Sequence, residues 1–174
     1  MKNQSSLAVH NDQCYACQIF PSQINVYACS DWQLLRSMQL PCCDTDCRRH
    51  TITVINKYIK VCCLRTGRLI ILHLDGTVKS IHGPDIEVIG HNREAANHDG
   101  SVKSRLRYPS LSQEDNEGNL LIADYAHHRL MLFTADCKWH DVTPDDGSIC
   151  PVGASWLDGR LYVISLLKFI TMFE

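Results

Sequence analysis

Residues Asn116 to Phe133 read NEGNLLIADYAHHRLMLF: two apolar runs, Leu120 to Ala123 and Leu130 to Phe133, on either side of a polar knuckle, Tyr125-Ala126-His127-His128-Arg129. Apolar runs this short, bounded by polar residues, suit strands rather than helices. Glu117-Gly118 precedes the first run, and Gly accepts the positive φ that a hairpin turn needs. The knuckle admits two readings. Asp124, His127, His128 and Arg129 carry the side chains of an acid–base or metal site. Such groups also satisfy the backbone of a tight turn. Adjacent histidines point in different directions, and no other turn in the chain is rich in His. The structural reading is preferred. Asp124, His128 and Arg129 are turn residues, and the Asp124 carboxylate and Arg129 guanidinium bond each other or the turn backbone. His127 and His128 are expected to be exposed.

Working outward, the same texture continues. HTITVIN, YIKVCCL, RLIILHL, DGTVKSI, NLLIAD, RLMLF and GRLYVIS are short β-type runs, and Asp75-Gly76, Glu117-Gly118 and Asp158-Gly159 mark turns at run ends. One stretch competes for a helix: Ser30 to Leu40, SDWQLLRSMQL, where Ser30 and Gln33 fit a capping box and Pro41 would stop the helix. Many short strands at regular spacing predict an all-β architecture.

The chain also repeats. An offset of 61 residues lays Arg68 on Arg129, Val61 on Ile122, Leu69 on Leu130, Leu72 on Phe133 and Asp75 on Asp136. The apolar positions keep their two-residue phase through strand, turn and strand. Gly159 to Phe173 is a shorter copy; after a one-residue deletion, Met172 and Phe173 take the places of Leu132 and Phe133. INVYACSDWQLL is a weaker copy, and its alignment turns residues 33–39 into an outer strand instead of a helix. A unit of roughly 40 residues and four strands is a propeller blade. The predicted fold is an all-β partial β-propeller of about four antiparallel four-stranded blades in a single domain, 1–174. The blades lie at about 7–40, 50–83, 108–143 and 151–174, with an insert loop at 84–107. The fourth blade is expected to lack its outer strand, leaving an open arc of a six-bladed ring or an imperfectly closed one.

The third blade, YPSLSQEDNEGNLLIADYAHHRLMLF, resembles the NHL repeat. Pro109 opens the inner strand, Asp115 and Gly118 make the turn, Ala123-Asp124 ends the second strand, and His127-His128-Arg129 leads into the third. Blade four matches fairly, through Pro151, Asp158, Gly159, Tyr162 and Val163. Blade two keeps Arg68 and Asp75-Gly76 but has Cys62-Cys63 in place of Ala-Asp. Blade one is degenerate. MQLPCCDTD and KFITMFE look like invertebrate tripartite-motif (TRIM) proteins, whose C-terminal domain is a six-bladed NHL propeller. The resemblance implies a non-enzymatic protein-interaction module, the substrate-recognition part of a TRIM-type ubiquitin ligase. The RING, B-box and coiled coil that precede the propeller in that family, and carry ligase activity, are not in this sequence.

Composition narrows the classes. A formal net charge of −2 gives no bulk attraction to phosphate. No apolar run is long enough for a transmembrane span, and MKNQSSLAVHNDQ lacks a signal-peptide core. A cytoplasmic protein with reduced thiols is expected. Of the ten cysteines, Cys14-x-x-Cys17 has zinc-pair spacing, and Cys42, Cys43, Cys47 and His50 could supply a second pair. Period-2 alternation, however, sends Cys14 and Cys17 to opposite sheet faces. No metal and no cofactor is expected.

Basic residues gather before the inner strands: Arg48, Arg49 and His50, and then Lys103, Arg105 and Arg107 beside Tyr108. Some NHL propellers bind single-stranded RNA through a positive face with aromatic stacking, so Arg48, Arg49, Lys103, Arg105, Arg107 and Tyr108 are the candidate binding residues for an RNA alternative. A third alternative, a metal-dependent propeller lyase or hydrolase, is disfavoured because no His or Glu set recurs at inner-strand positions. Trp32, Trp139 and Trp156 are read as packing residues.

Overall fold

Alternation of apolar and polar residues makes one sheet face bury while the other faces elsewhere, and the strands follow that period. A computed structural model describes residues 4–19, 21–41, 50–83, 106–145, 149–166 and 170–173. Among these the chain forms fifteen strands and one 3-10 turn, arranged as four antiparallel sheets. The first sheet holds β1 (Gln4–His10), β2 (Gln13–Gln18), β3 (Gln23–Ala28) and β4 (Leu34–Gln39), and the second β5 (His50–Ile55), β6 (Tyr58–Cys63), β7 (Arg68–His73) and β8 (Val78–His82). The third holds β9 (Pro109–Glu114), β10 (Leu120–Asp124), β11 (Arg129–Phe133) and β12 (Trp139–Asp141), and the fourth β13 (Pro151–Leu157), β14 (Arg160–Ser165) and β15 (Thr171–Phe173). Neighbours in sequence are neighbours in each sheet. The third sheet lies where the NEGNLLIADYAHHRLMLF pattern puts it.

The chain divides into two units, Met1–His82 and Gly83–Glu174. In the first unit β5 lies over β1 and β2. Tyr15, Cys17, Ile24 and Val26 of the first sheet bury against Ile52, Val54, Ile59, Val61, Ile70 and Leu72 of the second. Cys17 belongs to this core and Cys14, on the opposite face, does not. Burial, and then the nearby Cys29, pushes the Cys14 thiol above its ordinary value. In the second unit β13 lies over β9 and β10. Leu121, Ala123 and Leu130 bury against Ile149, Ala154, Leu161 and Val163. At about 25 cal/mol per Å² of apolar area, these two inter-sheet layers are the main favourable term holding each pair of sheets together.

Registers show the repeat directly. Cys63 pairs with Arg68 as Asp124 pairs with Arg129, 61 residues on. Leu161 pairs with Phe173 as Leu120 pairs with Phe133, which is the one-residue deletion read in the sequence.

The Ser30–Leu40 stretch forms the outer strand β4 at Leu34–Gln39, as the blade alignment reads residues 33–39, and not the competing helix. Pairing with β3 and burial of Met38 against the core outweigh the local capping signal. The thiols are not all reduced, because Cys63 is disulfide-bonded, with its partner outside the described residues. The tryptophans divide. Trp139 packs against Phe133, ring centroids 4.6 Å apart, whereas Trp32 and Trp156 stand about half exposed. Trp32 sits in the β3–β4 turn at φ 60°. Cys42, Cys43, Cys47 and insert positions 84–105 lie outside the described residues.

Candidate functional site

The polar knuckle closes on one carboxylate. Asp124 ends β10 and is completely buried. Its Oδ1 accepts the Arg107 backbone N–H at 2.6 Å. Its Oδ2 shares a hydrogen bond with His127 Nδ1 at 2.8 Å and accepts Arg129 Nε–H at 2.9 Å. Between them the chain makes a 3-10 turn, Tyr125–His127, then enters the left-handed region at His128, φ 55°. The His128 N–H closes on Tyr125 O at 3.2 Å, and the Ala126 N–H on Arg107 O at 3.1 Å. A buried carboxylate is tolerable only when its oxygens are paired. Here both are engaged by the turn and by the strand entry at Arg107. His127 and His128 are exposed, yet each has a partner: His128 Nδ1 lies 3.0 Å from Cys150 Sγ.

The opposite end of the same sheet carries a recess. Gln113, Asp115, Asn119, Leu121, Leu132, Val142 and Trp156 line a cavity of about 290 Å³ between β9–β12 and β13. Leu121 and Trp156 face it from the two sheets because both lie on the inter-sheet side of their strands, Trp156 pairing with the core residue Leu161. Gln113 fixes the rim. Its Oε1 accepts the Trp156 N–H at 2.5 Å and the Ser155 hydroxyl at 3.2 Å, and its Nε2 donates to Trp156 O at 3.2 Å. This amide spends both ends on one residue's backbone and holds the indole 45% exposed over an apolar floor. Asp115 is occupied by its own turn, accepting the N–H of Glu117 at 3.0 Å, the N–H of Asn119 at 2.8 Å, and Asn119 Nδ2 at 2.8 Å. Burial alone would raise the Asp115 carboxyl; the Asn119 side chain and the turn amides outweigh it and hold the carboxyl below its ordinary value. The recess therefore offers a half-bare indole, aliphatic walls and a polar rim, and no described nucleophile.

Of the candidate binding residues, Arg107 and Tyr108 are described and sit side by side, both exposed. Tyr108 has φ 55°, so the chain bends sharply there into β9. Arg48, Arg49, Lys103 and Arg105 lie outside the described residues. Among the described residues no three His, Cys, Asp or Glu side chains cluster closely enough to hold a metal ion. No described helix is long and apolar enough to cross a membrane. Trp156 is the functional candidate that sequence reasoning assigned to packing. Its only sequence signal is an aromatic residue two positions before the Asp158-Gly159 turn, at a strand end where cover is thin.

No family model and no curated protein matches the sequence. Solved structures do match in fold. Virginiamycin B lyase from Staphylococcus aureus is 13% identical over 99% of this chain and 55% of its own, with a TM-score of 0.66. An auxiliary nutrient binding protein from Bacteroides ovatus is 12% identical over 98% of this chain and 48% of its own, with a TM-score of 0.71. BamB from Moraxella catarrhalis is 13% identical over 97% and 43%, with a TM-score of 0.58. The chain thus spans about half the length of these structures. They are β-propellers, and with four antiparallel sheets of three or four strands this chain has a fold of the β-propeller type. Identities this low speak to the fold alone.

Proposed function

We propose that this chain is a non-enzymatic protein-interaction module of the NHL-propeller kind, the substrate-recognition part of a TRIM-type ubiquitin ligase whose RING and B-box belong to other segments. The observation that supports this reading is the recess beneath Trp156. A half-exposed indole above Leu121, Leu132 and Val142, held by an amide clamp at Gln113, suits an apolar side chain of a peptide whose backbone meets the polar rim. Aromatic anchors of this sort dominate protein recognition. The knuckle supports the NHL element of the reading, since Asp124 and Arg129 occupy the motif positions and tie the hairpin.

The test is a random peptide display screen against residues 1–174. Selected peptides should share an apolar anchor, and Trp156→Ala should weaken them about tenfold or more, in line with the loss of one aromatic anchor. Failure to select peptides, or selected peptides indifferent to Trp156→Ala, would count against the reading. The ligase element is tested by the full-length transcript, which should encode RING and B-box segments ahead of the propeller.

A second reading, single-stranded RNA, is favoured by the adjoining exposed Arg107 and Tyr108, a cation beside a stacking ring at the entry to an inner strand. It calls for salt-dependent binding of an oligouridylate that falls when Arg105 and Arg107 become Ala. Absence of binding at low salt eliminates it.

A further inference from the structure

Cys150 stands at the entry to β13, against the hairpin that joins β10 to β11. Its Sγ lies 3.0 Å from Nδ1 of His128. Asp124 gathers the Arg107 N–H and the side chains of His127 and Arg129, whereas the His128 ring turns to the thiol. Backbone holds both partners. His128 takes the left-handed conformation at φ 55°, and its N–H donates to Tyr125 O at 3.2 Å. The Cys150 N–H donates to the Ser165 hydroxyl oxygen at 3.3 Å, and its carbonyl accepts the Leu166 N–H at 3.2 Å. The neighbouring Ile149 is buried in the second unit's core. The Cys150 thiol is free and partly exposed, and His128 is exposed. A dissolved reagent therefore reaches a sulfur that already has an imidazole beside it.

A cysteine and a histidine within hydrogen-bond reach are a nucleophile and its base. Three chemistries use such a pair, and the surroundings separate them. Metal binding needs further ligands, and among the described residues no three His, Cys, Asp or Glu side chains cluster to hold an ion. Acyl transfer needs N–H donors aimed at an oxyanion, most simply the nucleophile's own. Here the Cys150 N–H is spent on Ser165 and the His128 N–H on Tyr125. Exchange at sulfur builds no oxyanion. It needs a thiolate, access and a carrier for one proton, and these the pair supplies.

We infer that Cys150 is a modification site for small soluble disulfides, with His128 as its base. The Cys150 thiol gives its proton to His128 Nδ1, and the thiolate attacks one sulfur of the reagent. The reagent's S–S bond breaks as the new bond to Cys150 Sγ forms. The departing thiolate takes the proton back from the His128 imidazolium. One thiol and one disulfide enter, and one mixed disulfide and one thiol leave, so no further oxidant or reductant is required. The site is separate from the recess under Trp156, which lies at the opposite end of the third sheet, and it does not depend on peptide recognition there.

Cys137 is the internal control. It is free and more exposed than Cys150, and among the described residues no side chain bonds its thiol. The full chain is treated with excess glutathione disulfide at neutral pH, quenched with acid and mapped by mass spectrometry. Trypsin cleaves after Lys138 and so separates the two cysteines. Cys150 should gain a glutathionyl group about tenfold faster than Cys137, in spite of its lower exposure, because only it has a base in place. His128→Asn should bring Cys150 down to the Cys137 rate, since Asn keeps the left-handed turn and lacks the imidazole. Dithiothreitol should release the adduct. Equal rates at the two cysteines of the parent chain overturn the proposal without recourse to any variant. So does an unchanged Cys150 rate in a His128→Asn chain whose circular dichroism matches the parent, and so does an adduct that dithiothreitol leaves in place.

Discussion

The hairpin between β10 and β11 and the hairpin between β6 and β7 occupy the same place in the repeat, yet they are held by different chemistry. In the first, Asp124 faces Arg129 and its buried carboxylate collects three donors from the turn and from Arg107. In the second, Cys63 faces Arg68, Gly67 takes the positive φ that His128 takes in the other, and Cys63 is disulfide-bonded. The backbone geometry of the blade is thus set by strand pairing and sheet packing. Asp124 then fastens the knuckle of the third sheet by charge, whereas Cys63 at the same place in the second sheet carries a disulfide to a residue outside the described ones. The Asp-His-His-Arg constellation reads as a fastening for the same reason: a blade of the same register does without it.

That comparison predicts unequal responses. Asp124→Ala should be the most damaging change in the second unit, about 3–5 kcal/mol, because it strands the Arg107 N–H and removes the buried Asp124–Arg129 ion pair. Asp124→Asn should fall between that variant and the parent, keeping an acceptor but not the charge. Urea unfolding followed by circular dichroism measures both. A loss under about 1 kcal/mol for Asp124→Ala would break the fastening account. A reductant should act on the other hairpin and spare this one. Opening the Cys63 link is expected to cost about 2–4 kcal/mol, as for disulfides in general, and the same treatment of a Cys63→Ser chain should cost nothing at this site.

Much of this was legible in the sequence, and the reason is local. Two-residue alternation, Gly turns and the 61-residue offset are properties of neighbouring residues, so strands, registers and the β-propeller type could be read from them. The knuckle residues were legible by type, but the Arg107 N–H that binds Asp124 comes from 17 residues upstream and has no side-chain signature. The recess was not legible at all. It depends on Gln113 reaching the backbone of Trp156, 43 residues away across two sheets, and on an indole left half bare where packing was expected. The β4 strand was legible through the blade alignment in spite of a competing capping signal at Ser30 and Gln33, which pairing with β3 overrides.

Turn glycines extend the contrast between the units at smaller cost. Gly76 and Gly159 both have positive φ, 92° and 76°, so an added Cβ is strained at each by about 1–2 kcal/mol. At Gly76 that Cβ would also come within 2.9 Å of the Met38 side chain, whereas at Gly159 it meets nothing within 4 Å. Gly76→Ala should therefore destabilise the first unit more than Gly159→Ala destabilises the second. Equal losses would show that Met38 yields freely.

The smallest effect concerns the turn beside the recess. The Asp115 carboxyl is held below its ordinary value by Asn119 and the turn amides against the opposing pull of burial. Folded protein then binds fewer protons at this group than unfolded chain does. Its contribution is complete above the unfolded value of about 3.9 and disappears as pH falls through the lower folded value. The side chain is exposed, so solvent screening keeps the contribution below about 1 kcal/mol. Asp115→Asn should be slightly less stable than the parent at pH 6, and the gap between the two urea midpoints should shrink as the pH falls below the unfolded value of about 3.9. At pH 6 the same substitution should leave peptide binding at Trp156 unchanged, since Asp115 spends its oxygens on its own turn. A gap that persists at low pH would mean the Asn119 contacts stabilise by geometry and not by charge, and the turn would then be fastened as Gly67 and Cys63 fasten theirs.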